Sequence, residues 1–122
     1  MKIGIPVEEN SMKTNISQSF GRTDYFLIYD TDTEKADFLD NSAANTQGGA
    51  GIKAAQRIVD AEVDILITPR CGENAADVLN MANIKIYKNI GNSIEENIQA
   101  LKDNKLNLLQ DIHPGLHNHG SK

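Results

Sequence analysis

A single cysteine, Cys71, in 122 residues rules out a disulfide within the chain, and one thiol is easiest to keep reduced in the cytosol. Aromatic residues make up only 5% and apolar residues 39%, so any core has to come from Ile, Leu, Val and Ala set at regular intervals. Basic residues are also scarce. Twelve Lys and Arg stand against seventeen Asp and Glu, and the net charge of -5 repels a phosphate backbone unless a basic patch overrides it. No such patch is visible in the sequence, so no nucleic-acid partner is expected. No stretch approaches the length of a membrane span, and "MKIGIPVEEN" lacks the apolar run of roughly 7 to 15 residues that marks a signal peptide. The expectation is a cytoplasmic protein without a membrane partner.

The patterns that are present read as one domain over residues 1–109, followed by a flexible, His-containing tail over 110–122. "KIGIPV" alternates Ile3, Ile5 and Val7 with Lys2, Gly4 and Pro6, a strand with one face inward that ends near the proline. "TDYFLIYD" and "KADFLD" read as strands of an antiparallel hairpin across "DTDTE". From Gly49 the period becomes helical, with Ile52, Ala55, Ile58 and Val59 as the inward stripe. "DILIT" follows as a strand covered on both faces. A helix with Ala75, Val78, Leu79 and Ala82 inward comes next, then the strand "IKIYK". The last helix starts at a capping box, Ser93 with Glu96, and points Ile94, Ile98 and Leu101 inward. The order β-β-β-α-β-α-β-α makes an α/β protein with a mixed sheet.

Right-handed crossovers between parallel strands bring the strand-to-helix loops to one edge of the sheet. Three loops belong there: the glycines Gly48, Gly49 and Gly51, then "TPRCGEN" from Thr68 to Asn74, then "NIGNS" from Asn89 to Ser93. Each opens a helix whose unpaired N–H groups favour an anion, and all three are expected to share one pocket. "GAGIKA" spells G-x-G-x-x-A without the preceding strand that a dinucleotide site needs, and there is no P-loop. The glycines serve either as a bend that starts a helix or as a source of backbone donors, and both roles can hold together. Cys71 is either a soft metal ligand, its thiolate favoured by Arg70 and the helix start, or a small residue packed at a strand end. His117 and His119, with His113 nearby, form either a metal-binding pair or a solvated tail. The carboxylates form no catalytic pair, and "CGENAAD" offers no basic residue after Cys71 for a phosphatase-type loop, so an enzyme is not expected.

Five segments together resemble the dinitrogenase iron-molybdenum cofactor biosynthesis family: "MKIGIPV", "SFGRTDYFLIYD", "GGAGIKAAQ", "CGENAADVL" and "IKIYKNIGNSIEENIQ", in the family's order. The resemblance implies a ribonuclease H-like fold with a five-stranded mixed sheet. It also implies binding or carrying of an iron-sulfur or iron-molybdenum type cluster, with cofactor donor and acceptor proteins as partners. Phe20, Gly21, Arg22, Gly48, Gly49, Gly51, Gly72 and Asn74 are then the cofactor-binding residues, and Cys71, His117 and His119 the metal ligands. Many cofactor-binding relatives have His where this chain has Ser19, and several have one near Gln47, so those imidazoles are missing here. Nuclease chemistry is not implied, because "KIGIPV" offers no carboxylate for divalent metals. Two other readings stay open: a phosphate- or nucleotide-binding sensor or enzyme using the glycine loop, and a regulatory interaction domain without metal.

Overall fold

The computed structural model describes residues 1–41, 48–109 and 112–113. Its main sheet has five strands in the order β3-β2-β1-β4-β6. β1 (Lys2–Val7), β2 (Tyr25–Asp30) and β3 (Ala36–Asp40) form an antiparallel meander, while β4 (Ile65–Ile67) and β6 (Lys85–Tyr87) extend β1 as parallel strands. A second, two-stranded parallel sheet joins β5 (Cys71–Gly72) to β7 (Ile112–His113). Among the described residues there are three helices: α1 (Ala50–Asp60), α2 (Glu73–Met81) and α3 (Ile94–Lys102). The fold is thus α/β with a five-stranded mixed sheet.

Period-two alternation sorts side chains between two cores. Phe26, Ile28, Leu66 and Ile86 pack with α1 and α2 on one face of the sheet. Leu27, Tyr29 and Ile67 pack with Ile3, Ile5, Val7 and α3 on the other. β1 is covered on both faces, so Gly4 and Pro6 are buried as well, although alternation alone points only one face inward. Pro6 is tolerated within the strand because its carbonyl turns away from β2 and accepts from the Ser17 N–H at 2.8 Å, so no ladder bond is lost at its nitrogen.

Two helical assignments shift. Ile52 is 44% exposed because Ala54, Ala55 and Ile58 set the inward direction of α1, and that direction passes through Gly51 instead. Ala82 is exposed because α2 stops there. Asn83 takes a left-handed φ of 63°, and its N–H and that of Ile84 donate to Asn80 and Leu79, a Schellman ending. Among the described residues no helix is long and apolar enough to cross a membrane.

Candidate functional site

Because β1, β3, β4 and β6 run the same way, their carboxyl ends share one edge of the sheet. Two of the three loops meet there. The start of α1 and the segment around β5 join the turn after β1 to enclose a cavity of about 590 Å³. Gln18, Ser19, Phe20, Gly21 and Arg22 form one wall, Ala50 and Gly51 the second, and Arg70, Cys71 and Gly72 the third. The "NIGNS" loop does not contribute. Its helix lies on the opposite face, and Asn15 and Ile16 pair with Ser93 and Asn92 there. The expectation of a single pocket for all three loops is corrected to two loops plus the Phe-Gly-Arg turn.

The turn is fixed by short-range bonds. The Ser17 hydroxyl accepts from Ser19 N–H at 3.2 Å, and the Ser19 hydroxyl accepts from Arg22 N–H at 3.1 Å. Phe20 is 4% exposed and anchors the turn against Phe26, ring centroids 5.3 Å apart. Thr23 donates its hydroxyl proton to the Val7 carbonyl at 2.8 Å. Asn41, just past β3, donates through Nδ2 to the carbonyls of Gly21 (3.1 Å) and Thr23 (2.8 Å). The sequence gives little sign of this role for Asn41; the only local signal is an amide side chain where "DFLDN" leaves its strand.

The helix ends differ in a way that bears on ligands. α1 begins at Gly49, with φ 69° and ψ 19°; no side chain among the described residues caps it and its first turn carries no acidic residue. Its first internal bond is Lys53 N–H to Gly49 carbonyl at 3.0 Å, so the three preceding N–H groups have no partner from the helix itself. α2 begins at Gly72, also without a side-chain cap, but with Glu73 in the first turn. α3, which points elsewhere, is closed: the Ser93 hydroxyl accepts from Glu96 N–H at 3.2 Å, and Asn97 bonds Ile90 and Ser93 across the loop. Ser93→Ala is therefore expected to cost about 0.5–2 kcal/mol of stability in urea unfolding while leaving the cavity's ligand affinity unchanged. A large affinity loss in that variant would contradict the separation of the two loops.

On the third wall, the Thr68 hydroxyl donates to the Arg70 carbonyl at 2.9 Å, and Lys88 Nζ donates to the Pro69 carbonyl at 3.1 Å. These bonds pin the backbone that presents the exposed Arg70 side chain at the cavity. Cys71 is only 1% exposed, and burial pushes its thiol up to about 12. Of the two readings of Cys71, this burial agrees with a small residue packed at a strand end: desolvation disfavours the thiolate, so the thiol is neutral at pH 7. Gly48 and Gly49 are exposed beside the cavity without lining it, and Asn74 is exposed on the first turn of α2. His117, His119 and Gln47 lie outside the described residues. Among the described residues no group of three or more His, Cys, Asp or Glu could hold a metal ion.

A family model described as dinitrogenase iron-molybdenum cofactor matches residues 1–104. An uncharacterized protein of Methanocaldococcus jannaschii is 29% identical over 109 residues, covering 87% of this chain and 89% of its own length. Among solved structures, the apo form of the orange protein from Desulfovibrio gigas superposes with a TM-score of 0.84 at 25% identity, over 88% of this chain and 92% of the other. A Thermotoga protein described as a NifB candidate superposes with a TM-score of 0.79 at 30% identity, over 93% and 97% respectively.

Proposed function

The chain belongs to the dinitrogenase iron-molybdenum cofactor family, and from that premise we propose that it carries an anionic metal-sulfur cofactor or precursor, held in the cavity without a covalent bond to the protein. The observation that carries this reading is the contrast between helix ends. The two helices whose N-cap residue is a glycine, with no side chain to cap the end, start at the cavity, and the one capped by Ser93 faces away. Uncapped N–H groups and the partial positive charge of a helix start favour an anion. Arg22 and Arg70 add full charges on opposing walls, and Phe20, Ala50 and Cys71 supply apolar and polarizable surface suited to sulfide. A neutral, buried Cys71 is a wall and not a ligand in this reading. A carrier exchanges its cargo with other proteins, so a donor and an acceptor protein are the partners it implies.

Tetrathiomolybdate, a soluble molybdenum-sulfide anion with its own visible absorption, is a direct probe. Saturable binding that weakens with salt is expected. Arg70→Gln should lower affinity about tenfold or more, the loss of one charge-assisted contact, and Cys71→Ala should change it by less than about threefold. Absence of saturable binding would reject the carrier reading. Loss of binding in Cys71→Ala with none in Arg70→Gln would reject the non-covalent mode. Phosphate and nucleotides, tested at the same concentrations, would displace the probe if the rim instead serves a sensor.

A further inference from the structure

We propose that Asn41, which stands outside the cavity, is the residue that positions its Gly21–Arg22 wall against the start of α1. The inference deepens the carrier reading and rests on it for the ligand, though not for the geometry. Asn41 is 4% exposed, and both protons of its amide are used on the same turn, one on the Gly21 carbonyl and one on the Thr23 carbonyl. Its backbone N–H donates to the Asp24 carbonyl at 3.0 Å. Bonds from one residue to Gly21, Thr23 and Asp24 therefore span a four-residue stretch, and Arg22 sits between the two carbonyls that the side chain grips.

The amide can face only one way there, because turning Oδ1 toward two carbonyl oxygens would replace attraction by repulsion. Oδ1 has no hydrogen-bond partner among the described residues, so the side chain acts here as a donor.

What makes this grip matter to the ligand is the closeness of the next contact. A Cβ built on Gly21 would lie 2.9 Å from the Gly51 nitrogen and 3.0 Å from its Cα, so the turn is seated on the first turn of α1, backbone against backbone. Any displacement of Gly21 shifts Arg22 relative to the N–H groups of that helix. Asn41 thus sets the spacing between one of the two arginines and the uncapped helix end, and does so without touching the cargo.

The test compares wild type with Asn41→Ala by amide NMR of the unliganded protein and by tetrathiomolybdate affinity well below the unfolding midpoint. The Gly21, Arg22 and Gly51 amides are expected to move while those of α3 stay in place, and affinity is expected to fall about tenfold. If Asn41→Ala does not fold, the uncharged and similarly sized Asn41→Leu removes the same two donors and is read in the same way. A residue that only stabilises the fold would lower the midpoint and leave cold affinity intact, and that result overturns the proposal. So does an unmoved set of Gly21, Arg22 and Gly51 resonances. Should wild type itself bind no probe, the carrier reading fails, while the unliganded spectra still decide the role of Asn41.

Discussion

Gly21→Ala is expected to lower the free energy of unfolding by about 1–3 kcal/mol, whereas Gly51→Ala, thirty positions on and in contact with it, is expected to raise it by up to about 1 kcal/mol. A Cβ at Gly21 meets the Gly51 nitrogen at 2.9 Å, the Gly51 Cα at 3.0 Å and the Ala50 carbonyl carbon at 3.2 Å. All three are backbone atoms of α1, which cannot rotate aside, so either the turn or the helix must retreat. A Cβ at Gly51 meets nothing closer than the Ala75 Cβ at 3.6 Å, an ordinary contact. Gly51 also lies inside a helix, where alanine restricts the unfolded chain and gains propensity. Urea unfolding of the two variants separates them by sign. Equal losses in both would mean that the turn and helix are not seated as described.

The second large effect concerns Cys71. Its thiol stands at about 12 against an ordinary value of 9.0, so the thiolate fraction near pH 8 falls about a thousandfold. Alkylation by iodoacetamide in native buffer should be slower than in urea by at least that factor, since the sulfur is also shielded from the reagent. The same shift bears on stability. Between about pH 9 and 12 the folded state holds a proton that the unfolded state has released, so stability declines as pH rises through that window and is fully present below it. For this one group the slope is at most about 1.4 kcal/mol per pH unit. Cys71→Ser should remove that part of the decline. Rapid native alkylation would mean that the thiol is open to solvent, and the case against a thiolate ligand would fall with it.

The fold was legible because its signals are local. Period-two alternation in "YFLIYD", helical spacing of Ala54, Ala55 and Ile58, and the Ser93 capping box each depend on neighbours a few residues away. Which face of the sheet a helix covers is not local, so strand and helix order alone groups the "NIGNS" loop with the other two. Burial of Cys71 is likewise a tertiary property: Arg70 beside it in sequence says thiolate, while packing among Ala75, Phe20 and their neighbours says thiol. β5 and β7 are two residues each, too short for any period to show, so pairing of Ile112–His113 with Cys71–Gly72 was not visible within a tail expected to be free. Asn41 escaped notice because an asparagine after a strand reads as turn chemistry, and only the folded chain reveals that its amide reaches back to Gly21 and Thr23.

The central claim is that cargo sits on two helix starts and not on a thiolate. Titration of the isotope-labelled protein with tetrathiomolybdate, followed residue by residue through the backbone amides, tests it most directly. Large shifts at Ala50, Gly51 and Ile52 and at Gly72 and Glu73, with Ser93 to Glu96 unmoved, are the predicted result. Shifts centred on the start of α3, or confined to the C-terminal histidines, would contradict it.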